Sequence, residues 1–136
     1  MPRLVGNSVP ERKTCLADLV VEHLSVKKLD GRAEVLRNRT NTDGHTDQVV
    51  VNSPRFGLIH VMAIGGTRPN DIIPFQGEGK DQAWLADKSL VAFGWNAVDD
   101  RTLIFFLDAS SVRESPPRDK QAVKARAKNE LTAVLR

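Results

Sequence analysis

"TDQVVVNSPRFGLIHVMAI", residues 46–64, is the stretch on which the fold turns. Val49, Val50 and Val51 form one β-prone run, and Leu58 to Ile64 form another. Ser53-Pro54 between them has the chemistry of a turn. Both runs are almost wholly apolar, which predicts a sheet covered on each face. Two polar residues interrupt the pattern. Asp47 opens the first strand, and His60 sits inside the second. Residues 60 and 62 share a face by strand alternation.

Outward from this hairpin, "AEVLRNR" (33–39) reads as a preceding strand. "SLVAFGWNA" (89–97) and "RTLIFFLDA" (101–109) read as two later strands around the turn "VDDR". The segment between the two sets, "GGTRPNDIIPFQGEGKD" (65–81), is rich in Gly and Pro and predicts a loop. "DQAWLADK" (81–88) predicts a short helix after it.

Helices bound the strands. Pro10 suits the first turn of a helix, and Ser8 or Asn7 can cap it. Leu16, Leu19, Val20 and Leu24 then fall at helical spacing, and Asp30-Gly31 closes the segment. His23 lies within that apolar stripe, whereas Asp18 and Glu22 lie opposite it. After Pro116-Pro117, "RDKQAVKARAKNELTAVLR" (118–136) predicts a terminal helix with Val123, Ala127, Leu131 and Val134 on one face. Lys120, Lys124 and Lys128 recur every fourth residue on its other face, flanked by Arg118 and Arg126.

The expectation is an α+β fold, a mixed α/β sandwich whose five-stranded central sheet is flanked by an N-terminal and a C-terminal helix. Its 136 residues suit a single domain, 1–136. Within it, residues 1–9 read as a flexible arm, 14–115 as the core and 117–136 as the basic amphipathic helix.

Composition narrows the function. Aromatics make up 5% of the chain, with no tyrosine, too few for a platform of stacked bases. The net charge of +3 permits an anionic partner without requiring one. One cysteine, Cys15, allows no internal disulfide, and no Cys/His cluster suggests zinc. The N-terminus lacks a secretory h-region, and no apolar run reaches membrane-spanning length. A cytoplasmic protein without a membrane segment is expected.

The order of elements, together with Asp47 in "TDQVVV" and the spacing of His60 and Met62 in "IHVMAI", resembles the restriction-endonuclease-like, or PD-(D/E)XK, nuclease superfamily. The similarity covers roughly residues 14 to 109. It implies that Asp47 stands where that family carries a strand aspartate. His60 stands at its acid or glutamine, and Met62 at its lysine. It further implies a divalent metal, magnesium or manganese, at Asp47 and His60, with Asp18 or Glu22 as the carboxylate of the first helix. Phosphodiester hydrolysis needs a hard cation in oxygen ligands and a positive charge near the attacking water. Met62 supplies no charge, and imidazole is a poor magnesium ligand. The motif's spacing is kept and its chemistry is lost, so the resemblance implies a catalytically degenerate nuclease-like protein.

Asp47 and His60 are therefore the candidate catalytic residues, and Asp47, His60 and Asp18 the candidate metal ligands. Arg68 and Lys80 in the loop, with Lys120, Lys124 and Lys128 in the terminal helix, are the candidate contacts to DNA or RNA. Each has a plainer reading as a turn, core or solvated residue. The alternative function is a protein–protein interaction or scaffolding module, or a homodimer, joined through a sheet edge or the apolar loop "DIIPF". No nucleophile with an oriented base is visible for small-molecule chemistry.

Overall fold

The computed structural model describes residues 4–66, 72–73 and 84–135. Helix α1 (Val9–Val26) is followed by strands β1 (Glu34–Thr40), β2 (Thr46–Ser53) and β3 (Gly57–Ala63). Strands β4 (Leu90–Asn96) and β5 (Thr102–Asp108) come next, then helices α2 (Ala109–Glu114) and α3 (Lys120–Arg126), and strand β6 (Ala133–Leu135). The six strands form one sheet in the order β1-β2-β3-β4-β5-β6. Every neighbouring pair is antiparallel except β3 and β4, which run parallel with His60 opposite Val91. The fold is α+β as the sequence predicts, with one strand more than the five expected.

Helix α1 begins where the residues dictate. Ser8 is its N-cap, with Oγ accepting from Glu11 N at 3.3 Å, and Pro10 fills a first-turn position that needs no N–H. Its stripe of Leu16, Leu19, Val20 and Leu24 packs on Val49, Val51, Ile59, Val61, Leu90 and Ala92 on one face of the sheet. The opposite face carries Val91, Phe93, Trp95 and Phe105, covered by Leu85, Val112 of α2 and Val123 of α3. Burial on both faces explains why the central strands lack polar alternation.

Two expectations are corrected at the termini. Leu4 is buried, and its backbone N–H and C=O bind the Asn96 side chain at 3.2 and 2.7 Å. The N-terminal segment from residue 4 is thus docked on the end of β4, not a free arm. The terminal helix expected over 117–136 is α3 alone. Asp119 caps it, and Ala127 leaves helical geometry with ψ 147°. Lys128 N then donates to Phe106 O at 2.8 Å, which draws the chain onto β5 as β6.

Candidate functional site

The β1–β2 ribbon keeps a regular register from Glu34↔Asn52 to Thr40↔Thr46, but β2 pairs with β3 only through Val51, Asn52 and Ser53. Asp47 lies beyond that shared stretch. Along its strand it is in step with Val49 and Val51, which belong to the α1 side. His60 is in step with Met62 and paired with Val91, on the other side. By alternation the two side chains leave their strands on opposite faces, yet Lys13 and Lys88 act on both, so the two residues border one cluster of charges. Asp18 is exposed on α1, opposite its buried stripe, and does not join them.

What Asp47 meets instead is a lysine. Lys88, from the turn before β4, places Nζ 2.8 Å from Asp47 Oδ2, with side-chain exposures of 0% and 10%. The approach is an ion contact off the hydrogen-bonding axis, because that carboxylate oxygen has no aligned donor among the described residues. Lys88 Nζ does donate to Asn41 Oδ1 at 2.8 Å and to the Trp84 carbonyl at 3.3 Å. Arg39 Nη1 reaches the same Asn41 oxygen at 2.7 Å and Asp87 Oδ2 at 3.3 Å. Asp87 accepts from Thr42 N at 2.8 Å and from the Thr42 hydroxyl, tying the ribbon tip to the segment before β4. These bonds, with Arg39, hold the Asp87 carboxyl below its usual range.

His60 is almost wholly buried, edge-on to Trp84 at a centroid distance of 4.5 Å. Its Nδ1 has no hydrogen-bond partner among the described residues. Burial, then the charges of Lys13 and Lys88, push its pKa well below the ordinary 6.5. The imidazole is neutral at physiological pH. Lys13, on α1, is itself lowered by desolvation while Asp47 pulls it back up. Three cations from three segments (Lys13, Arg39, Lys88) thus gather near three carboxylates (Asp43, Asp47, Asp87).

The remaining candidates scatter. Lys120 is buried, with Nζ bonded to Gly66 O at 3.0 Å and lying 5.4 Å from the Trp95 ring centre. Lys128 lies beyond the end of α3, with Nζ 3.5 Å from Asp108 Oδ1. Lys124 is exposed, beside a groove of about 310 Å³ floored by Trp95 and Leu103. The predicted lysine stripe is therefore corrected, since a seven-residue helix cannot carry positions 120, 124 and 128 on one face. Arg68 and Lys80 lie outside the described residues. His23 is structural, donating from Nε2 to Leu131 O at 2.8 Å. Met62 packs against the second core cluster.

The divalent metal implied by the nuclease resemblance can be tested against these donors. Asp47 already faces an ammonium, two lysine charges act on His60, and Asp18 is elsewhere. Among the described residues no three His, Cys, Asp or Glu side chains come together. Asp47, His60 and Asp18 do not fit a divalent ion as its ligands, and no hydrolytic step is assigned to one. Sequence reasoning missed Lys88 because its partner lies 41 positions away, and a lysine carries no signal of burial.

No protein-family model matches this chain, and neither a curated protein nor a solved structure was found to match it. Among the described residues no helix is long and apolar enough to cross a membrane.

Proposed function

We propose that this chain is a nucleic-acid-binding protein on a nuclease-like sheet, holding phosphates by charge and not cleaving them. The observation behind this reading is the gathering of Lys13, Arg39 and Lys88 around Asp47 and a neutral His60. Asp43 acts on Asp87 as well, so the charges of this cluster balance, and its partly exposed cations Lys13 and Arg39 are the ones a phosphate can reach. Such cations hold phosphate oxygens without sequence preference. Exposed Arg37 on β1 and Lys124 on α3 extend the cationic surface. A single cysteine, Cys15, suits a reducing cytoplasm.

The test is a salt titration of binding to labelled duplex and single-stranded oligonucleotides. Affinity is expected to fall linearly in log K against log salt. Lys13→Gln should reduce that slope by about 0.9 on duplex DNA, the value of one phosphate contact. Absence of binding by the wild type at low salt rejects the reading. It would favour the second one, a protein-contact module. Ile72 speaks for that alternative, being 79% exposed beside the buried Ile73.

A further inference from the structure

Lysines are almost never fully buried unless paired. Lys88 is buried to its tip, and what surrounds that tip is unusual in kind. Its ammonium meets a carboxylate oxygen of Asp47 at 2.8 Å, an amide oxygen of Asn41 at 2.8 Å and the carbonyl of Trp84 at 3.3 Å. One anionic and two neutral oxygens, two from the β1–β2 ribbon and one from the segment that carries Lys88, form the kind of donor set that a hard cation takes. Asn41 is committed to it: Oδ1 is turned to the cations while Nδ2 is buried with no hydrogen-bond partner among the described residues. The Asp87–Thr42 bonds then clamp the ribbon tip against the segment that carries Lys88.

We propose that Lys88 Nζ is a resident cation, closing an oxygen-lined site that would otherwise accept a divalent metal. The inference deepens the nuclease-like reading above and rests on it for the role of that metal. The site itself rests on Asp47, Asn41 and the Trp84 carbonyl. In this arrangement the protein keeps one positive charge where a metal would carry two, and excludes the metal. A tethered ammonium cannot generate hydroxide, so phosphate binding is retained without cleavage chemistry.

The experiment uses the full chain and Mn²⁺ as probe, read by thermal unfolding and titration calorimetry in parallel with EDTA controls. Wild type is expected to show neither Mn²⁺ binding nor a shifted midpoint. Lys88→Ala should bind one Mn²⁺, with its midpoint rising by about 5 °C or more at saturation. Lys88→Ala combined with Asp47→Asn should lose that response. If Lys88→Ala is unfolded in EDTA, refolding on Mn²⁺ addition by circular dichroism supports the proposal. Lys88→Ala that ignores Mn²⁺, folded or unfolded, overturns it, as does stoichiometric Mn²⁺ binding by the wild type. Nucleic-acid affinity is read separately by the salt titration, so failure of either idea leaves the other's result interpretable.

Discussion

Lys88 and Asp47 form a buried ion pair, Nζ to Oδ2 at 2.8 Å, that joins the β1–β2 ribbon to the entrance of β4. Removing one partner strands the other charge away from water. Asp47→Ala is expected to cost about 3 kcal/mol, the lower end for breaking a buried pair. Asp47→Leu with Lys88→Met should recover much of that loss, because neither charge is then left behind. Urea unfolding of both single variants and the double variant gives the coupling energy. Purely additive effects would show that the two residues do not act as a pair.

Acid should weaken the fold before its carboxylates titrate. His60 and His23 both have folded-state values below 6.5, burial being the main cause for each. Below 6.5 the unfolded chain therefore binds more protons than the folded one. Their contribution is complete above 6.5 and is lost progressively as pH falls towards the lowered values. Asp30, Asp43, Asp87 and Asp99, lowered from 3.8, add a separate loss only in more acidic solution. His60→Leu should flatten the upper window at little cost at pH 7.5, since it removes a buried nitrogen with no hydrogen bond among the described residues. Unfolding free energies at pH 7.5, 6.5 and 5.5 decide the matter, and an unchanged slope would exclude His60.

Lys120 and Lys124 should separate stability from binding. Lys120→Met keeps the buried stem but loses the bond to Gly66 O and the approach to Trp95. A cost of about 1–3 kcal/mol is expected. Lys124→Ala should leave stability within about 0.5 kcal/mol, as surface changes do. If Lys124 touches phosphate, its loss lowers the salt slope on duplex DNA by about 0.9. Equal unfolding free energies for the two variants would contradict the burial difference.

Gly57 should resist substitution more than Gly94. Gly57 has φ +83°, and an added Cβ would run into the Ser89 hydroxyl. Backbone strain of about 1–2 kcal/mol then adds to the clash. At Gly94 the same Cβ would press on Leu16 Cδ1 at 2.5 Å, the far end of a flexible side chain. Gly94→Ala is expected to cost about 1–3 kcal/mol by overpacking and Gly57→Ala more. Thermal midpoints of the two variants give the ranking directly.

The strands were legible where apolar runs ended in strong turn residues, as at Ser53-Pro54 and Asp99-Asp100. Helix α1 was legible from its cap, its Pro10 and an uninterrupted stripe. The end of α3 was not. No Gly or Pro marks Ala127, and Leu131 fits a helical stripe as well as the buried turn it occupies before β6. Val134, expected on the apolar face, is 49% exposed. A bond to β5 decides the matter, and that partner is distant in sequence. Lys88 was hidden for the same reason. Its spacing to Asp47 carries no motif, and only the tertiary fold brings a lysine from one segment into the oxygens of another.

The parallel seam between β3 and β4 has a consequence for how the chain folds. On one side β1, β2 and β3 close through short turns, and on the other β4 and β5 close through Ala97–Arg101. The seam alone must bridge residues 64–89 before Ile59 can meet Leu90. Loop closure is entropically unfavourable until the contacts it permits are made, so each meander is expected to form ahead of their union. Conservative truncations at Ile59 and Val61 should then lengthen the refolding time less than they shorten the native lifetime, a low φ-value measurable by stopped flow. The seam would be a late weld between two early-folding halves.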